Sequence, residues 1–316
     1  MFRFLLRRLA NLPIILFISN FVGFAFAFAV APIVSSSNPY SHAETNLPPL
    51  LPAYWDYLKE VIRGDYGKTF NGEPVLETIS RVGLASLGLI AISLTLSILF
   101  GVALGRLAVR RNRAGTAMWL TISSTIGLAM PSFYVAILFI TLFLLFYLYG
   151  TSSTTPPIPF QGFGWDAHML LPVLALTFQP TVKIAQVTGG LLSEEMEKQY
   201  VTSAMSFGYS FKSIKSKFAF RNILAPVLLT IAASLRIMTA ELIIIERLFN
   251  WPGLGRFIAT SLSVGSRSGN LLSPSLLAAI LTILVATFLI TDLFATFLAR
   301  LIDPRLRVDT ELKANI

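Results

Sequence analysis

This 316-residue chain contains no cysteine, only two histidines, and charged residues at just 13% of the total. Without cysteine there are no disulfides, no thiol chemistry and no cysteine-ligated metal. His42 and His168 each stand alone, with no His-Glu-x-x-His spacing, and read as surface or interfacial side chains, not metal ligands. There is no nucleophile elbow and no paired-carboxylate arrangement in a soluble domain, so the chain is not read as an enzyme in its own right. Gly67-Lys68-Thr69 imitates the end of a phosphate-binding loop, but that loop needs glycine five positions before Gly67, where this chain has Ile62.

Apolar sequence fills the space that charge leaves. Hydrophobic residues make up 54% of the chain. Uncharged runs of roughly 20 residues, the length that crosses a bilayer, recur along it. Six spans are predicted, at 9–31, 82–105, 117–148, 169–192, 226–249 and 271–299. The runs are too long and too evenly apolar for barrel strands, so the spans are helices and the fold class is all-α integral membrane.

Lysine and arginine set the orientation. Sixteen fall on one predicted side: Arg3, Arg7 and Arg8; Arg106, Arg110, Arg111 and Arg113; Lys198, Lys212, Lys215, Lys217 and Arg221; Arg300, Arg305, Arg307 and Lys313. Six fall on the other: Lys59, Arg63, Lys68, Arg81, Arg256 and Arg267. Both termini are therefore expected to be cytoplasmic. The net charge of +9 follows from this asymmetry and implies no nucleic-acid partner. Ala27-Phe28-Ala29 resembles a signal-peptide cleavage site, but the apolar stretch before it exceeds a signal core, and an uncleaved first span is expected.

The chain divides into a segment 1–31, an extracytoplasmic loop 32–81, a membrane core 82–300 and a tail 301–316. In the outer loop, 35–49 is turn-rich, Tyr54 to Ile62 suggests a short helix, and Gly64-Asp65-Tyr66-Gly67 breaks it. The segment 149–168 reads as an irregular cap. Gly101 and Gly105 form a small-xxx-small pair suited to close helix packing within the chain. Pro131 predicts a kink inside the third span.

Residues 193–225 are polar enough to leave the membrane and form the longest cytoplasmic connection. Two helices are predicted, Glu194–Phe207 with an acidic start and Phe211–Arg221 capped by Ser210, hinged at Gly208. Phe211, Ile214 and Phe218 form an apolar stripe whose periodicity suits either lipid or a protein partner. Ionisable residues inside spans are Lys183, Arg236, Glu241, Glu246 and Asp292. Lys183 can snorkel to the interface, and the others either pin helices together or line a substrate path.

The cytoplasmic loop holds Tyr200-Val201, Ala204 and Gly208, followed by Arg221-Asn222 and Pro226. Elsewhere, in order, stand Gly64-Asp65-Tyr66-Gly67, Met130-Pro131-Ser132-Phe133, Glu246 with Phe249 and Trp251-Pro252-Gly253-Leu254-Gly255, and Asp303-Pro304-Arg305-Leu306-Arg307. This ordered set resembles the permeases of ABC importers of the dipeptide, oligopeptide and nickel class, and by that resemblance Glu197 and Ser210 join the ATPase-coupling residues of the loop. The resemblance covers nearly the whole chain and implies a type I importer permease with coupling helices in a prokaryotic inner membrane. The implied partners are a second permease, two cytoplasmic ATPases and an extracytoplasmic binding protein. ATP and Mg would be bound by the ATPases, and this chain itself would carry no cofactor and no metal. The 193–225 loop would dock on the ATPase, and the Trp251 turn, where Pro252, Gly253 and Gly255 permit a tight reversal, would sit at the outer mouth.

The chain departs from the family pattern in two places. Thr202, Met205 and Phe207 stand where basic residues are usual, as does Gln186 near a common arginine. The Asp292 to Asp303 spacing is about one turn longer, which implies a longer last helix. Peptides are the expected cargo, with nickel chelates, opines and oligosaccharides as alternatives. The rival reading is an ion-coupled secondary transporter relaying through Arg236, Glu241, Glu246 and Asp292, and a third is a membrane scaffold without transport.

Overall fold

The computed structural model describes residues 2–36, 48–68, 72–110, 115–150, 158–262 and 274–302. The expected tail motif Asp303–Arg307, the turn-rich residues 37–47, Arg111, Arg113, Arg267 and His42 lie outside them. Among the described residues the regular elements are helices: α1 (Phe2–Ser36), α2 (Leu50–Ile62), α3 (Val75–Ala108), α4 (Met118–Ala129), α5 (Ser132–Gly150), α6 (Leu170–Met196), α7 (Gln199–Ser206), α8 (Phe211–Ser213), α9 (Phe220–Asn222), α10 (Leu224–Leu248), α11 (Leu254–Leu262) and α12 (Pro274–Ile302). A 3₁₀ turn precedes α6, and a π-helical turn, Ile214–Ala219, joins α8 to α9.

Six of the helices are long and apolar enough to cross a membrane: Leu9–Val30, Val75–Ala108, Ser132–Gly150, Ala167–Met196, Leu224–Leu248 and Pro274–Phe294. The count matches expectation, but two spans differ from it. At 34 residues, or about 51 Å, α3 far exceeds a hydrocarbon core of about 30 Å. Its first turns therefore belong to the aqueous side. The third span is not a kinked helix over 117–148. Met130 takes an extended conformation (φ −97°, ψ 115°), as a residue before proline prefers, and ends α4. A new helix, α5, begins at Ser132, with Pro131 supplying the carbonyl that accepts from Tyr134 and Val135 N–H. Only α5 remains long enough to span.

The chain forms two compact units, Met1–Gly88 with Asn250–Ile290, and Leu89–Phe249 with Thr291–Ile316. In the first, Val75, Ile79 and Val82 put one face of α3 against Leu254 and Ile258 of α11 and Leu276, Ala279 and Ile280 of α12. Helix α1 comes close to α12 at Gly23, where a Cβ would lie 2.9 Å from Ala278 Cα. Phe24 packs with Tyr54 and Tyr57 of α2.

The second unit is organised around α6, half of whose span is buried, against 11% for α5. Gly101 and Gly105 lie against α6, and a Cβ at Gly105 would stand 2.7 Å from both Ala185 O and Thr188 Cβ. The glycine pair thus packs within the chain, as expected. Gly105→Ala is expected to destabilise the protein by about 1–3 kcal/mol through overpacking. Gly190→Ala, where a Cβ would meet nothing within 4 Å, should be neutral. Thermal unfolding in detergent compares the two, and equal midpoints would refute the close approach.

Candidate functional site

The polar segment forms an elbow, although its first helix begins later than the acidic residues suggested. Helix α6 runs on through Glu194 and Glu195 to Met196. The direction changes at Lys198, whose extended backbone (φ −69°, ψ 150°) precedes α7. Gly208 ends the elbow's first arm with φ 87°, a left-handed conformation that glycine adopts without a Cβ penalty. The Ser210 hydroxyl then accepts from Ser213 N–H at 3.2 Å and caps α8 as expected.

Glu195, which the sequence pattern did not single out, ties the elbow together. A carboxylate in the last turn of α6 opposes the helix dipole, yet this one is buried, at 6% exposure. Its Oε1 accepts from Tyr200 O–H at 3.1 Å and from Asn222 Nδ2–H at 2.8 Å. Lys198 pairs with Oε2 from the solvent side. Two residues of the resemblance motif, Tyr200 on α7 and Asn222 on α9, therefore share one acceptor. Burial, with the adjacent Glu195 carboxylate, pushes the Tyr200 phenol up to about 12, so it remains a donor at any physiological pH. The third motif residue, Val201, is buried at 1%, whereas Glu197 Oε1 accepts from Gly115 N–H at 3.3 Å and tethers the loop after α3.

Glu195→Leu leaves two donors short of their acceptor, at about 1–3 kcal/mol. Amide exchange over 199–206 in detergent should accelerate roughly 5–150-fold, the rate equivalent of that loss. Glu195→Gln retains a carbonyl acceptor and should exchange close to the wild-type rate. No acceleration in the leucine variant would show that the carboxylate does not hold α7.

The second arm is fastened to the end of α3. Lys215 Nζ donates to the carbonyls of Arg106 (2.9 Å) and Val109 (3.1 Å), and Arg106 donates to Ser216 Oγ at 2.8 Å while lying over the Phe220 ring. Burial, then the neighbouring Arg106, lowers the Lys215 pKa. Of the predicted apolar stripe, Ile214 is fully buried and Phe211 packs against the same core cluster as Leu192 and Val227. Phe218 turns outward and meets Tyr209 edge-on at 5.8 Å. From Gln199 to Phe211 no residue is charged. Ala204 is half-buried; Met205, Phe207 and Tyr209 are exposed, Phe207 at 83%. Arg221 is exposed beside Asn222.

Inside the spans Arg236, Glu241 and Asp292 have partners. Arg236 on α10 and Asp292 on α12 form an ion pair at 3.1 Å. Glu241 accepts a hydrogen bond from Ser132, so the Met130–Phe133 block and the α10 carboxylate meet. Glu246 is fully buried, and Lys183 lies half-buried on α6. Among the described residues no group of three or more His, Asp or Glu could hold a metal ion. His168 is paired with Asp166 at 2.6 Å.

The Trp251 block divides at Asn250. Before it, Phe249 is buried and its carbonyl accepts from Gly162 N–H at 3.0 Å. After it, Trp251 is fully buried, its indole N–H donating to Ala85 O at 3.1 Å, and Leu254 N–H donates to Ser86 Oγ at 2.8 Å. Pro252 and Gly253 lie between these two anchors, and the Gly253 amide reaches back to Trp251 O at 2.9 Å. The left-handed residue of the turn is Asn250 (φ 56°), a side chain that tolerates that conformation, and Gly255 lies inside α11.

Residues 71–308 match the family described as the binding-protein-dependent transport system inner membrane component. A dipeptide transport system permease protein of Lactococcus lactis subsp. cremoris is 26% identical over 319 residues, covering 98% of this chain and all (100%) of that one. A probable peptide ABC transporter permease protein of Sinorhizobium fredii is 26% identical, covering 82% of this chain and 81% of its own. A glutathione transport system permease protein of Salmonella typhimurium is 29% identical over 218 residues, 68% of each chain. With six apolar helices and a family match across most of its length, this chain is a multi-pass membrane protein belonging to the family of inner-membrane permease components of binding-protein-dependent transport systems.

Proposed function

We propose that the chain is one of two permease subunits of an ATP-driven importer for short peptides, delivered by an extracytoplasmic binding protein. The observation that carries this reading is the elbow, a buttressed polar structure that presents an uncharged, partly aromatic face beyond the membrane. It docks on a cytoplasmic ATPase, which binds ATP and Mg and drives alternating access through a two-state change. Both termini are cytoplasmic, on the side that carries sixteen of the Lys and Arg residues. Peptide cargo is supported by the relatives, which are named for dipeptide, peptide and glutathione transport.

The intramembrane charges favour this over an ion-coupled carrier, since Arg236 and Asp292 neutralise each other and Glu241 is engaged by Ser132. Reconstitution with the sister permease, ATPases and binding protein should give dipeptide uptake that requires ATP. The ATPases should co-purify with the chain and be lost when Tyr200–Gly208 is replaced. Uptake driven by an ion gradient with no ATPase present would overturn the proposal.

A further inference from the structure

Helix α2 and the first span enclose an open groove of about 760 Å³, within the size range of sites that hold small ligands. One end of the groove has a defined depth. Phe17 and Phe21 line it and fall either side of the middle of the Leu9–Val30 span, within about 4 Å of it along the helix. The polar group at that level, Asn20, is already satisfied. Its amide donates to Thr282 Oγ1 at 3.0 Å and Tyr57 Oη at 3.3 Å, and its carbonyl accepts from Tyr54 O–H at 3.1 Å. Nothing at the inner end therefore invites water or a polar ligand.

The other end has the opposite character. Asp56 and Lys59 line the groove and pair at 2.9 Å with both side chains exposed, at 70% and 53%. An exposed ion pair resides where water and headgroups are, since hydrocarbon excludes it. From Leu51 to Lys59 the helix rises about 12 Å, close to half of a core about 30 Å thick. The groove thus runs from mid-bilayer to headgroup level. Leu51 and Trp55, at 68% and 62% exposure, form its apolar wall, with tryptophan at the depth where interfacial aromatics gather.

We propose that this groove is a binding site for one zwitterionic phospholipid whose headgroup ends in a primary ammonium. An acyl chain lies on Phe17, Phe21, Leu51 and Trp55, the phosphate meets Lys59, and the ammonium donates hydrogen bonds to Asp56. A quaternary choline has no N–H to donate, and a glycerol headgroup offers no cation, so the carboxylate discriminates against both.

Native mass spectrometry of the full chain, equilibrated with equal amounts of phosphatidylethanolamine, phosphatidylcholine and phosphatidylglycerol, tests the site. One phosphatidylethanolamine should be retained about tenfold over the other two, a difference of about 1.4 kcal/mol. The double variant Asp56→Asn with Lys59→Gln should erase that preference, and Leu51→Trp should abolish retention by filling the groove. These residues are exposed, so the fold tolerates the changes. Equal retention of all three lipids, or retention unaffected by Leu51→Trp, overturns the proposal. The native chain has no cysteine, so Leu51→Cys gives a clean cross-linking background in the assembled complex. A cross-link to the sister permease would mean that a protein helix fills the groove, and would also overturn it.

Discussion

Trp251→Ala should destabilise the protein by about 3–5 kcal/mol, the range for removing a large buried aromatic. Trp251 is fully buried and its indole N–H is bonded to the carbonyl of Ala85. Truncation therefore opens a cavity and removes the donor from that carbonyl at once. The adjacent Leu254 N–H to Ser86 Oγ bond keeps the two segments in register only while the indole fills the space between them. Thermal unfolding in detergent should show a clear drop in midpoint. Trp251→Phe, which restores much of the volume but not the N–H, should recover part of the loss. An alanine variant with wild-type stability would mean that the turn is not anchored through this side chain.

Phe207→Glu is expected to act in the opposite manner, with little effect on the fold and a large one on assembly. At 83% exposure the side chain contributes almost nothing to the isolated chain, and surface changes of this kind stay within about 0.5 kcal/mol. In the proposed complex the same ring is a central aromatic anchor on a face that has no charge from Gln199 to Phe211. Loss of such an anchor costs about 2–4 kcal/mol, or roughly 30–1,000-fold in affinity for the ATPase. The interface should also tolerate salt, since it has few exposed charges to screen. Titrating purified ATPase against the chain in lipid nanodiscs measures both effects. Unchanged affinity of the variant would sink the proposed docking surface.

Spans were legible because length and apolar composition are local properties that a bilayer reads directly. Gly208 and Ser210 were legible for a similar reason, since a helix stop and an N-cap depend on one residue and its near neighbours. Sequence and structure part where distant contacts decide. Glu194 resembles a helix start, but no breaker separates it from α6, and the dipole cost of the neighbouring Glu195 is offset by Asn222, 27 residues on. Pro131 suits a kink in sequence terms because neighbouring helices often re-satisfy the freed carbonyls. Here Met130 turns fully extended and Ser132 leaves toward Glu241, 109 residues away. Trp251 could be recognised by resemblance, but its acceptor on Ala85 could not be, being 166 positions earlier. The left-handed backbone of Asn250 has no sequence signal beyond its residue type, which tolerates that conformation without requiring it.

Backbone contact at Gly101 and Gly105 also limits how this protein can change shape. Side chains that interdigitate can slip past one another by changing rotamer, but a Thr188 Cβ lodged where Gly105 has none has no rotamer to change. An axial slide of α3 along α6 by even one residue, about 1.5 Å, would drive the next side chain into a carbonyl. The two helices can therefore tilt together but not shear, and they act as a single stiff lever. Since Lys215 and Arg106 fasten the elbow's second arm to the end of α3, a push on that arm is delivered to the lever's tip.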